Sequence, residues 1–169
     1  MPRIVLTVIG DDRAGLVEAL SDVISQHGGN WERSQMAELA GKFAGIVVVS
    51  VPEGSADALA SSLGSLDGLL EIASYPGTED TGTADQLLTI DLLGTDRPGI
   101  VHEVSAVLAR HRISIEKIDT ATRDAPMAGG QLFEAHMAVR LPADVDPDAV
   151  RGDLEQLAAE LLVDIAVTQ

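Results

Sequence analysis

Two stretches of the chain read almost alike: GDDRAGL, Gly10 to Leu16, and GTDRPGI, Gly94 to Ile100. Each follows a run of β-branched and aliphatic residues, Ile4–Ile9 (IVLTVI) and Leu87–Leu93 (LLTIDLL), that predicts a strand. Each precedes apolar residues at helical spacing: Leu16, Val17, Leu20, Val23 and Ile24 in one place, Ile100, Val101, Val104, Val107 and Leu108 in the other. The match runs further at a fixed offset of 84 positions. Gly10, Asp12, Arg13, Gly15, Val17, Ser21, Val23, His27 and Glu32 fall on Gly94, Asp96, Arg97, Gly99, Val101, Ser105, Val107, His111 and Glu116. A period this long exceeds that of solenoid repeats and marks a duplicated domain.

The remainder of each copy follows one plan. A hairpin is expected over about 30–40 with 43–51, and over about 114–123 with 131–141, where DAPMAGG lengthens the second turn. A second helix is expected near 55–66 and near 146–162. In the latter, Val150, Leu154, Leu157 and Leu161 form the apolar stripe and the acidic ADVDPDAV suits the N-terminus. A short strand closes each copy, at 69–75 and 163–168. Pro98 is expected in the first helical turn, where its missing N–H is no loss, and HGGN supplies a glycine for a left-handed helix end. The chain therefore reads as α+β: two ferredoxin-like βαββαβ domains in tandem, with antiparallel sheets and helices on one face. The boundaries fall at residues 1–76 and 87–169, with a polar linker, PGTEDTGTADQ, between them.

Composition narrows the function. The chain has 169 residues, 46% of them hydrophobic, so each copy can bury a core. It has no cysteine, which rules out disulfides, thiolate metal sites and thiol nucleophiles. No apolar run reaches the length of a membrane helix and no secretory leader is visible, so a cytoplasmic location is expected. The net charge of −16 divides evenly, −8 over residues 1–80 and −8 over 81–169. Both halves repel phosphate, and no Lys/Arg cluster interrupts the pattern, so direct nucleic-acid binding is not expected.

The two hairpins differ in their alternation. In the second copy Phe133, Ala135, Met137 and Val139 alternate with Glu134, His136 and Arg140, leaving one face wet. In the first, FAGIVVV places Ala44, Ile46 and Val48 on the second face, which is then apolar too. Such a face should be covered, by another subunit or by the partner half.

The repeated loop suits a small zwitterion. Strand-end glycines let backbone N–H groups approach a ligand, and the helix that follows offers unpaired N–H groups and partial positive charge to a carboxylate. Asp12 and Asp96 argue against phosphate but could hold an ammonium. The plainer alternative stays open: an Asp ahead of a helix is commonly its cap, and Arg13 and Arg97 could be merely solvated.

The pattern Gly-x-Asp-Arg-Pro-Gly-Ile/Leu-Val between a strand and a helix resembles the ACT domain, a regulatory amino-acid-binding module. The second copy, GTDRPGIVHEVSAVLARHRISIEKIDT, matches closely, and the first departs by Ala14 in place of proline. Two such domains filling the chain, with NWERSQMAELAGKFAGIVVVSVP as the first hairpin, are similar to the glycine cleavage system transcriptional repressor family; Trp31 replaces the usual aliphatic residue. That resemblance implies domains paired side by side through their second strands, hence a homodimer or higher oligomer. It implies a ligand between one domain's loop and a neighbour's second strand. By position the candidate ligand-binding residues are Gly10, Asp11, Asp12, Arg13, Ala14, Gly15, Leu16 and Asn30 in the first copy, and Thr95, Asp96, Arg97, Pro98, Gly99, Ile100 and Ser114 in the second. It implies a glycine- or serine-like amino acid as ligand, a regulatory protein such as a transcriptional activator as partner, and no cofactor.

Other chemistry finds no support in the sequence. His27 and His111 sit at helix ends, where the dipole and capping explain them. His102 is not duplicated, its counterpart being Glu18, and His136 alternates onto the wet face. Metal-ligand spacings, nucleophile elbows and nucleotide loops do not occur. Ser105 with His102, or Ser114 with His111, lacks a third orienting group. The expectation is a non-enzyme, either ligand-responsive or a ligand-free interaction module acting on a metabolic enzyme.

Overall fold

The computed structural model describes residues 1–79, 85–127 and 129–169, so part of the linker expectation (80–84) and one residue of the DAPMAGG turn lie outside it. The chain divides into two compact units, Met1–Thr81 and Gly82–Gln169. The first contains β1 (Arg3–Asp11), α1 (Leu16–Gln26), β2 (Asn30–Leu39), β3 (Lys42–Ser50), α2 (Ala56–Leu63) with a 3₁₀ turn at Gly64–Leu66, and β4 (Glu71–Pro76). The second repeats the order with β5 (Gln86–Thr95), α3 (Ile100–Arg110), β6 (Ser114–Asp124), β7 (Gln131–Leu141), α4 (Pro147–Leu161) and β8 (Val163–Thr168). The sheets run β2-β3-β1-β4 and β6-β7-β5-β8, and every pairing is antiparallel. The expected α+β pair of βαββαβ units is what the chain forms.

One face of each sheet holds the core. In the first unit Ile4, Leu6 and Val8 of β1 with Val47 and Val49 of β3 meet Leu16, Leu20, Val23 and Ile24 of α1 and Leu59 and Leu63 of α2. In the second, Leu88, Ile90 and Leu92 with Ala135, Met137 and Val139 meet Ile100, Val104, Val107 and Leu108 of α3 and the Val150–Leu161 stripe of α4. With so few aromatics, branched aliphatics fill both cores. Trp31 pairs with Val49 and packs, partly buried, against the first core.

Three local expectations change, and a fourth, the left-handed glycine after the first helix, holds. Val17 and Val101 belong to the helical pattern but lie exposed, because Leu16 and Ile100 at the preceding positions already face the sheet. Pro98 lies ahead of the helix rather than in it: Gly99 is the N-cap, with φ 93 and ψ −1. Those angles belong to the third residue of a type II turn, where proline precedes glycine. The left-handed glycine at the end of α1 is Gly28, but its counterpart in the second unit is Arg112, which takes φ 59. Gly10, Asp11, Gly94 and Thr95 are strand residues, so the connection itself is shorter than the quoted motif.

Candidate functional site

The β1–α1 and β5–α3 connections are fixed by three local devices. Gly10 lies one residue before the end of β1, where the α2–β4 segment passes close by. A Cβ on Gly10 would lie 2.3 Å from the Leu69 carbonyl oxygen, and one on Gly94 2.3 Å from Cγ1 of Val163. These two glycines make room for the chain's own backbone and side chains. Next, the Asp12 N–H donates to the Gly41 carbonyl at 2.9 Å and the Asp96 N–H to the Gln131 carbonyl at 2.8 Å, tying each loop to its hairpin tip. Last, Gly15 (φ 90) and Gly99 (φ 93) turn the chain into the helix, and a Cβ on either would meet nothing within 4 Å. The space in front of the turn is open.

Asp12 and Asp96 do not cap the helices. The N-caps are Gly15 and Gly99, and neither α1 nor α3 has a side-chain hydrogen bond at its N-terminus. The first-turn N–H groups are therefore left without a side-chain acceptor, and Asp12 and Asp96, three residues ahead of each N-cap, are exposed. Arg13, Ala14, Arg97 and Pro98 are exposed in the same turns, and Leu16 and Ile100 are buried beneath them as the first core residues of their helices.

Lys42 is a site neighbour that motif reading missed. Asp11 pairs with Lys42 across β1 and β3, and their side chains form an ion pair. The hydrogen bond from Lys42 and then its charge hold the Asp11 carboxyl below its ordinary value, with Arg13 adding a smaller pull. The same bond and charge from Asp11 raise Lys42. Ile9, Gly10, Asp11, Lys42, Leu69 and Glu71 line a shallow cavity at this end of the sheet. Lys42 lies 31 residues from Asp11, so only the register of β3 against β1 reveals it.

Asn30 and Ser114 are not near these loops in their own units. Asn30 pairs with Ser50 and Ser114 with Arg140, at the end of the sheet away from Gly10 and Gly94, which pair with Phe43 and Phe133. Seven residues of β3 separate the two ends, about 23 Å at about 3.3 Å per residue. Just after each start lies a β-bulge, between Trp31 and Arg33 and between Ile115 and Lys117. The extra residues are the repeated glutamates: Glu32 accepts from Arg3 Nε at 3.1 Å, and Glu116 pairs with Arg140 Nε at 2.8 Å.

Two of the histidines, His27 and His111, tie helices together. The His27 ring meets the Val23 carbonyl through Nδ1 at 2.9 Å and Ser62 Oγ through Nε2 at 2.9 Å. His111 Nε2 meets Asp153 at 2.7 Å on α4. His136 is exposed and pairs with Asp91. Among the described residues no three His, Asp or Glu side chains are placed to hold a metal ion, and no helix is long and apolar enough to cross a membrane.

With the loop geometry in place, the comparisons with known proteins fall on the same segments. Residues 2–71 and 88–159 each match the ACT domain. The chain belongs to the ACT-domain family. A UPF0237 protein of Methanopyrus kandleri is 41% identical over 80 residues, 46% of this chain and 81% of that one. A UPF0237 protein of Pyrobaculum aerophilum is 35% identical over 83 residues, 48% of this chain and 86% of its own. These relatives correspond to about half of this tandem ACT chain. An unknown protein from Galdieria sulphuraria, solved by crystallography, is 31% identical with a TM-score of 0.89, covering 98% of this chain and 96% of its own. A crystal structure assigned provisionally as a glycine cleavage system transcriptional repressor superposes with a TM-score of 0.69 at 16% identity, over 99% of this chain and 96% of that one. At that identity the last likeness concerns the fold.

Proposed function

We propose that this ACT-domain protein is a non-enzymatic regulator that binds a small amino acid, glycine- or serine-like, at the β1–α1 and β5–α3 turns and passes that signal to a protein partner. The observation that carries this reading is the uncapped helix start behind Gly15 and Gly99. Open N–H groups and helix partial charge suit an α-carboxylate, and Asp12 and Asp96 stand near for an α-ammonium. Leu16 and Ile100 floor the turns without polar groups, which favours a ligand with little side chain.

The placement of Asn30 and Ser114 adds a requirement. These residues reach a ligand loop only across a neighbouring unit whose edge strand runs antiparallel to β2 or β6, so the complete site needs a side-by-side pair. Asn30 and Ser114 differ, and so do Ala14 and Pro98, so the two sites are unequal. The acidic surface, −16 in net charge, supports action through a protein, such as a transcriptional activator, rather than on nucleic acid, and suits a cytoplasmic regulator. Coupling between ligand and partner in such a device is about 1–3 kcal/mol and works equally in both directions.

Calorimetric titration of the full chain with glycine and then serine tests the proposal. Saturable binding that Asp96→Ala weakens supports it. No heat up to millimolar ligand favours the second reading, in which the ACT units bind a metabolic enzyme and the loops are purely structural.

A further inference from the structure

The two units share one fold but present opposite surfaces on the sheet face away from the helices. In the first unit that face carries Val5, Thr7 and Ile9 of β1, Ala44, Ile46 and Val48 of β3, and Ala73 and Tyr75 of β4, with Arg33, Gln35, Ala37 and Leu39 of β2 along one edge, by alternation and register. Ile46 is 54% exposed, Tyr75 53% and Ile9 44%. The equivalent places in the second unit hold Thr89, Asp91 and Leu93 of β5, Glu134, His136 and Ala138 of β7, and Ala166 and Thr168 of β8. There Asp91 and His136 pair in the middle of the face, where the first unit has Thr7 and Ile46. The second unit therefore serves as an internal control. It builds the same sheet and the same helical cover with a charged outer face, so folding does not require the apolar one.

We propose that the apolar sheet face of the first unit is an interface with the same face of a second copy of this chain, packed sheet on sheet. Three observations select that occupant. The first is shape. A twisted, pleated sheet packs best against another of the same twist, at about 10 Å separation with strands inclined by about 30°. The second is charge. The chain carries −16, yet on this face Arg3 bonds to the bulge residue Glu32 and Lys42 to Asp11, with Arg33 and Glu71 the other charges, so the face itself is close to neutral. A charged face such as that around Asp91 and His136 would lose its hydration against Ile46, whereas a second apolar face would not. The third is area. Four strands spaced about 4.8 Å, over about seven residues of about 3.3 Å, give a face of roughly 19 by 23 Å. Two such faces cover roughly 900 Å² in projection, close to the ~1,000 Å² where specific interfaces begin, before side-chain relief is added. This contact is separate from the edge pairing that would complete the ligand sites, since the face and the β2 edge point in perpendicular directions.

The test grafts the second unit's own residues onto the first: Thr7→Asp combined with Ile46→His, a pair the same fold already carries at 91 and 136. Light scattering coupled to gel filtration of the full chain reads the mass, and circular dichroism reads the fold. The expected result is a wild-type oligomer whose mass halves in the variant at the same protein concentration, with the dissociation constant raised by about a hundredfold or more and an unchanged spectrum. If the double variant does not fold, Tyr75→Thr, which copies Thr168, replaces it in the same measurement. A monomeric wild type at high micromolar concentration, or a folded variant of unchanged mass, overturns the proposal.

Discussion

Gly15 and Gly99 hold φ near 90 with no neighbour where a side chain would go, so at these residues the backbone angle alone demands glycine. Left-handed backbone in a residue with a Cβ costs about 1–2 kcal/mol. Gly99→Val is therefore expected to destabilise the second unit by about 1–2 kcal/mol or slightly more, since β-branching stiffens the residue further. Urea unfolding reads this directly, and an unchanged midpoint would show that the turn rearranges freely. Gly10 and Gly94 work differently: they are needed because Leu69 and Val163 occupy the space, whatever the angle. Motif reading gave the strand-end pair, Gly10 and Gly94, close approach to a ligand as its reason. A motif shows which residue recurs but not whether space or angle selects it. The same applies to Asp12 and Asp96, whose role as caps stayed open in the sequence and is excluded by the N-cap geometry.

Element by element, the helices and strands follow the sequence pattern closely because their signals are local. Asp146 caps α4 by accepting from the Asp148 N–H at 3.0 Å, with Pro147 in the first turn, as the acidic run suggests. The second helix of the first unit ends early, at Leu63, and continues as a 3₁₀ turn. Pairing between elements was less legible. The Asp11–Lys42 ion pair joins the end of β1 to the start of β3 and depends wholly on the register between these two non-consecutive strands. Its pH dependence follows from the two shifts. Asp11 is lowered on folding, so its contribution is complete above the unfolded value of 3.8 and fades as pH falls through the folded one. Lys42 is raised, so its contribution is complete below 10.5 and fades as pH rises through the folded value. Lys42→Met should therefore lower the melting temperature slightly and evenly across neutral pH, with the difference from wild type vanishing in strong acid and strong base. Both groups are exposed, so the effect is small and shrinks with salt. A difference that grows on acidification would refute the assignment.

At the scale of the whole molecule, the two hydrophobic clusters share no residue, so each unit carries its own stability. Leu20 is fully buried in the first, and Leu20→Ala is expected to cost that unit about 2–5 kcal/mol. Hydrogen exchange should lose protection in β1, α1 and β3 while β5, α3 and β7 keep theirs; uniform loss across the chain would mean the units unfold as one. The amino-acid sequence by itself determined the duplication, the order of strands and helices, the composition of both cores and the ACT resemblance. Periodicity and turn residues act over a few positions, and a second copy displays the same signals again. Only the tertiary structure decided what depends on register between distant strands. It placed Asn30 and Ser114 at the far end of the sheet from the loops of their own units. It set the repeated glutamates on bulges and brought Lys42 to Asp11. The physical reason is that side-chain direction in a strand alternates strictly, so one residue of register decides which groups share a face or an end. That choice is made by long-range pairing, which no local pattern records.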